Sequence, residues 1–173
     1  MDPEMAARIA AISTALSKLR DRPGPVFRGT SLTADEIAFY VPGTIRTEAG
    51  FTSTSADHAR SFPGNALFII DSRHAKDVSA FSVHSESEVL FDKGTSFYVL
   101  DNFVDKRSGK HVITMTEATM SPTKPTKREI RASEKHTLGF LRKVNAVPES
   151  NKQPLTSDKF AGPIAEIVVS DPS

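Results

Sequence analysis

His84-Ser85-Glu86-Ser87-Glu88-Val89-Leu90-Phe91 places two glutamates one residue apart at the mouth of an apolar run, just ahead of the turn pair Lys93-Gly94. In an extended run alternate side chains share a face, so Glu86 and Glu88 project to the same side. Two like charges side by side at a strand end are unfavourable unless a cation or a developing positive charge sits between them. The arrangement suits chemistry better than folding, and it marks a strand that carries a polar site at its entrance.

Outward from this stretch the chain reads as many short strands with brief helices between them. Phe97 to Leu100 is a further strand after the turn Asp92-Lys93-Gly94, and Val104 to Glu117 is a hairpin with Arg107-Ser108-Gly109 at its tip. Ala66 to Ile70 is a buried strand by composition, Val26-Phe27-Arg28-Gly29 a short one, and Phe51-Thr52-Ser53-Thr54 is extended. Asp2 and Pro3 open an amphipathic helix over 4–20, with Ile9, Ile12, Leu16 and Leu19 at helical spacing and Pro23-Gly24-Pro25 as its stop. Thr33-Ala34-Asp35-Glu36 is a capping box for a short helix to about Tyr40, and Ser55 is placed to cap another through Ala59. This alternation argues for an α+β domain rather than a βαβ wound sheet.

From Met120 to Lys127 the composition shifts to Pro, Thr and Lys. Thr126-Lys127-Arg128-Glu129 then opens a helix carrying Ile130, Leu138 and Leu141, weakened by Gly139. Ile164 to Val169 is a candidate last strand. The division is therefore a domain over 1–118 and a C-terminal extension over 119–173, made of linker, basic helix and the candidate last strand.

Bulk properties narrow the class. The 173 residues suffice for one domain with a real core, and 38% hydrophobic with 25% charged content fits a globular chain. A net charge of +1 gives no global steering toward nucleic acid or anionic membrane. The absence of cysteine excludes a disulfide scaffold, a thiol nucleophile and a cysteine-ligated metal. No apolar run reaches membrane-spanning length. Met1-Asp2-Pro3-Glu4 is acidic where a signal peptide would be basic, so export needs another route, or the chain is a module of a larger polypeptide.

Three segments in order carry a resemblance: Val26-Phe27-Arg28-Gly29-Thr30, Phe51-Thr52-Ser53-Thr54-Ser55 and Ser85-Glu86-Ser87-Glu88-Val89-Leu90-Phe91, followed by Gly94-Thr95-Ser96-Phe97. Over roughly residues 1 to 118 the chain resembles the R-S-E class of mono-ADP-ribosyltransferases, the cholera-like and iota-like toxins. The resemblance implies a split β-sandwich of two small sheets with flanking helices, and NAD as substrate in the cleft between them, without a metal. It implies that Arg28 contacts the NAD phosphate or ribose and that the Gly29 backbone holds the nicotinamide amide. It implies too that Ser53 orients Glu88, that Glu88 binds the ribose 2′-hydroxyl and that Glu86 engages an arginine acceptor. Phe62 is the candidate to stack on nicotinamide, and it reads equally as a core residue beside Pro63-Gly64.

The chemistry supports these roles on its own terms. Departure of nicotinamide leaves an oxocarbenium-like ribose, which a fixed carboxylate stabilises as its charge develops. A serine hydroxyl can hold that carboxylate still. A guanidinium is a poor nucleophile, and a second carboxylate can grip it and accept its proton. Arginine's fork fits a pyrophosphate better than lysine's point charge.

The resemblance thus implies a secreted or injected toxin module acting in a target cell's cytoplasm on a protein of a host or rival cell. RNA as acceptor, simple NAD hydrolysis, and an inert module binding NAD or a partner are the alternatives, and a cognate immunity protein is a further candidate partner. His58, His74, His84, His111 and His136 form no ligand spacing, and Gly24, Gly29 and Gly43 no phosphate loop. The basic stretch from Lys106 through Lys143 reads as a solvated face or a docking surface, with Phe140 its only aromatic.

Overall fold

The computed structural model describes residues 2–61, 64–79, 87–118 and 123–154. Its first helix, α1 (Pro3–Ser17), starts as the sequence requires: the Asp2 carboxylate accepts the Glu4 N–H at 3.1 Å, with Pro3 at the first helical position. It ends before the expected Arg20. Leu19 N–H still turns back to the Leu16 carbonyl at 2.9 Å, and beyond it the backbone bonds to a distant segment, Arg22 N–H to the Ala75 carbonyl at 2.7 Å and Asp77 N–H to the Arg20 carbonyl at 3.4 Å. Extended pairing stops this helix, and the prolines come later. The second helix, α2 (Ala34–Phe39), has both bonds of its capping box between Thr33 and Glu36.

The strands form one mixed sheet. They are β1 (Gly24–Thr30), β2 (Ile45–Thr47), β3 (Thr52–Ser55), β5 (Ala66–Ser72), β6 (Lys76–Asp77), β7 (Glu88–Phe91), β8 (Ser96–Val104) and β9 (His111–Glu117), in the order β2-β8-β9-β5-β1-β3-β7-β6. A separate small pair joins β4 (Arg60–Ser61) to β10 (Gln153–Pro154) in parallel. In the main sheet β5 and β9 run parallel, whereas β1 is antiparallel to both of its neighbours.

The junction in this sheet is narrow. β1 pairs with β5 along its whole length, from Gly24↔Ser72 to Thr30↔Ala66. With β3 it shares only Phe27↔Ser55. A five-strand half ending in β1 therefore meets the three-strand half β3-β7-β6 at one residue pair. Apolar side chains of both halves, Val89 and Phe91 with Val26, Phe68, Phe97, Val99, Ile113 and Met115, fill one core. Phe91 and Phe97 meet edge-on with centroids 5.0 Å apart. This is an α+β split sandwich.

The other face of the five-strand half is covered too, which is why β5 is buried at every position and reads as an unbroken apolar run. Phe27, Leu67, Ile69 and Val112 pack there against Phe140, Leu141 and Val144 of α3 (Lys127–Ala146). Thr126 and Glu129 close the expected capping box, and Gly139 does not interrupt the helix. The buried stripe differs from the expected one. Leu138 is 41% exposed, while Ser133 and Thr137 are buried.

Polar partners on the sheet explain the exchange: Ser133 Oγ donates to Asp71 Oδ2 at 2.8 Å and lies 3.0 Å from Thr116 Oγ1, and His136 Nδ1 lies 3.0 Å from the same Asp71 oxygen. A sheet surface that presents a carboxylate and a hydroxyl selects hydroxyls on the helix. The expected helix over 55–59 does not form. Ser55 is paired in β3, its Oγ accepts the Asp57 N–H at 3.1 Å, and Asp57 in turn accepts the Ala59 N–H at 3.0 Å, giving two consecutive side-chain turns. The candidate strand Ile164 to Val169 lies outside the described residues.

Phe140 sits 5.2 Å from Phe27, centroid to centroid, at the centre of the α3 contact. Phe140→Ala is expected to cost about 3–5 kcal/mol in urea unfolding, against less than about 0.5 kcal/mol for the exposed Leu138→Ala.

Candidate active site

The register of three strands builds the site. Antiparallel pairing sets Ser55 opposite Glu88 and Ser53 opposite Leu90, so Ser53, Ser55 and Glu88 share one face of the β3-β7 pair. Thr52, Thr54, Val89 and Phe91 take the other, and Thr54 Oγ1 donates to the Val89 carbonyl at 2.7 Å. Across the diagonal, Ser53 Oγ donates to Glu88 Oε1 at 2.9 Å. The backbone of the same serine serves β1: Arg28 Nη1 donates to the Ser53 carbonyl at 3.0 Å.

Ser53 is thus the hub that brings Arg28 and Glu88 together, its hydroxyl fixing the acid and its carbonyl fixing the base. Arg28 is 6% and Glu88 7% exposed, so both charged groups are held in place with little solvent. Gly29 lies in β1 opposite Leu67, buried and extended. Glu86 and Phe62 lie outside the described residues. β7 begins at Glu88, and Ser87 before it adopts φ 53°, in the left-handed region. The strict period of two therefore holds from Glu88 onward and ends at Ser87.

One residue of the site had no signal in the sequence. Glu48, in the connection from β2 to β3, is 2% exposed. Burial pushes its carboxyl up to about 8, with Arg28 as the charge that opposes the shift. Burial likewise lowers Arg28, offset by Glu48 and then Tyr40. The Tyr40 hydroxyl is raised, by burial first and then by Glu48. Arg28, Tyr40 and Glu48 are thus all buried, and the Arg28 charge bears on both of the others. An acid shortly before Phe51-Thr52-Ser53 carries no periodicity, and only its burial distinguishes it.

Residues 2–122 match the family model described as ADP-ribosyltransferase exoenzyme. The chain belongs to that family. Among relatives of this ADP-ribosyltransferase exoenzyme domain is a Mycobacterium avium protein, Mav, which bears the name of an NAD(+)-arginine ADP-ribosyltransferase; it is 43% identical over 122 residues, covering 68% of this chain and 15% of that protein. The NAD(+)-protein-arginine ADP-ribosyltransferase Tre1 of Pseudomonas putida is 39% identical over 102 residues, 58% of this chain and 21% of Tre1. The chain thus corresponds to a small part of each relative's length. In solved structures the fold matches the ADP-ribosyltransferase HopU1 of Pseudomonas syringae with a TM-score of 0.59 at 25% identity, over 68% of this chain and 56% of that one.

Within the ADP-ribosyltransferase exoenzyme domain no helix of the described residues is long and apolar enough to cross a membrane. Among the same residues no three His, Asp or Glu side chains converge as metal ligands would. The basic stretch resolves into a hairpin tip with exposed Lys106 and Arg107 and the solvent side of α3, where Arg128, Arg131, Lys135 and Arg142 are exposed.

The raised carboxyl of Glu48 fixes a sign for stability against pH. Between about 4.5, its ordinary value, and about 8, the folded chain keeps a proton there that the unfolded chain has lost. Stability from this group is complete at the acid end and falls as pH rises through that window. The melting temperature of the parent is expected to drop relative to Glu48→Gln between about pH 5 and pH 8.5. Parallel curves would show that Glu48 does not titrate in this range.

Proposed function

We propose that this chain is a toxin or effector module that transfers ADP-ribose from NAD to the guanidinium of arginine on a target protein. The observation that carries the reading is the Ser53 hub, which ties Arg28 at 3.0 Å and Glu88 at 2.9 Å into one unit. Family membership and the arginine-directed names of Mav and Tre1 support it.

In this reading NAD is the substrate and donor. Arg28 meets its phosphate or ribose with a fork suited to paired oxygens. The Gly29 backbone holds the nicotinamide amide, and Phe62 stacks on the ring. Glu88 accepts from the ribose 2′-hydroxyl beside the reacting carbon. The bond from ribose C1′ to the nicotinamide nitrogen breaks, and its electron pair leaves with nicotinamide. Positive charge then develops on C1′ and the ring oxygen. A carboxylate immobilised by Ser53 stabilises this charge without reorganising. A guanidino nitrogen of the acceptor attacks C1′ and forms the new N-glycosidic bond, and Glu86 takes the proton it releases.

The target is an intracellular protein of a host or rival cell, reached by secretion or injection, where NAD is available. A cognate immunity protein would protect the producing cell. The experiment is incubation with labelled NAD and cell lysate, with Glu88→Gln as control. Label removed by protease supports the reading, label removed by RNase moves the acceptor to RNA, and free ADP-ribose alone indicates hydrolysis. Glu88→Gln is expected to lower kcat by about 100- to 1,000-fold, and Ser53→Ala by about 10- to 100-fold through the loosened carboxylate.

Glu86→Ala separates the two carboxylates. It is expected to abolish transfer to agmatine, a small guanidine, while sparing part of the NAD hydrolysis. Equal loss of both activities would remove its acceptor-side role.

A further inference from the structure

The family match ends at residue 122, yet the chain beyond it reaches back to one segment, residues 56–61 between β3 and β5. Two contacts meet there. The His58 ring stands edge-on to Phe140 of α3, with centroids 6.3 Å apart and planes at 84°. Further along, β10 pairs in parallel with β4, Gln153 opposite Arg60 and Pro154 opposite Ser61.

The helix that makes the first contact is itself fixed to the sheet. Phe140 packs on Phe27 at 5.2 Å, and Ser133 and His136 are bonded to Asp71. Phe27 is the residue that pairs with Ser55 across the β1–β3 seam. Phe140 therefore touches β1 on one side of the seam and, through His58, the segment that leaves β3 on the other.

The near end of the segment lies at the site. Ser55, paired with Glu88, leads into Ala56, whose N–H donates to the Ser87 carbonyl at 3.1 Å. Ser87, at φ 53°, is the residue from which Glu88 enters β7, and Glu86 precedes it in the chain. A left-handed backbone costs a serine energy, so the turn depends on bonds from outside it. Within the segment, the two side-chain turns at Ser55 and Asp57 stiffen the path from His58 to Ala56.

We propose that residues 56–61 are a positioning segment for the Ser87 turn, and that the C-terminal extension holds this segment in place through Phe140 and β10. The proposal rests on the reading above, in which Glu88 serves the donor ribose and Glu86 the acceptor. Glu88 has anchors of its own, the Ser53 hydroxyl on its carboxylate and the Val78 N–H on its carbonyl at 3.0 Å. Loosening the segment therefore spares the donor step and disturbs the acceptor step. Water then attacks C1′ in place of the guanidine, giving free ADP-ribose, nicotinamide and a proton.

His58→Ala and Gln153→Pro in the full chain test this, since Phe140→Ala would take out core packing as well. The first removes the ring that meets Phe140. Pro154 has no N–H, so Gln153 carries the amide that β10 brings to the pair, and the second substitution removes it. In both variants the share of consumed NAD that ends on agmatine is expected to fall about three- to tenfold. The KM for NAD should stay within about twofold of the parent's and the melting temperature within about 3 °C. His58→Phe keeps a ring at that position and is expected to restore the parent's share. Amide exchange at Ala56 reads the loosening without catalysis, and it is expected to be about tenfold faster in both variants.

An unchanged share in both variants, or unchanged exchange at Ala56, overturns the proposal. So does a lowered melting temperature with transfer and hydrolysis falling in parallel, which marks residues that only hold the fold. A parent that transfers nothing to agmatine, with faster Ala56 exchange in both variants, sinks the transferase reading and leaves the fastening of the Ser87 turn standing.

Discussion

The fold turns on the seam between β1 and β3. Everywhere else the sheet is held by runs of paired backbone, but across this seam the ladder shrinks to Phe27↔Ser55. A junction so short would leave the three-strand half free to hinge if nothing else crossed it. Arg28 crosses it. Its bond to the Ser53 carbonyl lies beside the lone backbone pair and supplies a charge-assisted contact in a buried setting. Under the proposed function NAD is met by Arg28 itself, so the residue that braces the fold is also the one assigned to the donor.

A buried arginine needs polar partners or a counter-charge. Glu88 is held by the Ser53 hydroxyl, and Glu48 is buried with its backbone clamped by the β7–β8 turn. The electrostatic cost of burying Glu48 appears in its raised carboxyl. Folding alone would favour an apolar residue there. The charge of Arg28 opposes part of that cost.

How much of this the sequence disclosed depended on whether the determining forces were local. Capping boxes at Thr33 and Thr126 satisfy donors three residues away, and both formed as read. The unbroken apolar run of β5 disclosed burial on two faces. Arg28, Ser53 and Glu88 were legible because three short segments in order resemble a known constellation, and the structure joins all three through Ser53. Where tertiary partners decided, the reading failed. Ser55 lost its helix to pairing with Glu88, and the polar stripe Ser133-Thr137 on α3 was invisible until Asp71 and Thr116 appeared opposite it. Glu48 was silent for the same reason, since the arginine it answers lies far back in the chain and on another strand.

The helix α3 belongs to this argument although the family match ends at residue 122. Phe27 and Arg28 are neighbours in β1, and a strand sends neighbours to opposite faces. Phe27 is locked against Phe140, while Arg28 reaches the Ser53 carbonyl. Rotation of β1 about its axis would move both at once, so packing by the helix on one face fixes the aim of the guanidinium on the other. Asp71 strengthens the same coupling, because it fastens Ser133 and His136 of α3 to β5, the strand that pairs with β1 along its length. The C-terminal helix therefore acts on the site through the strand it covers, without touching it.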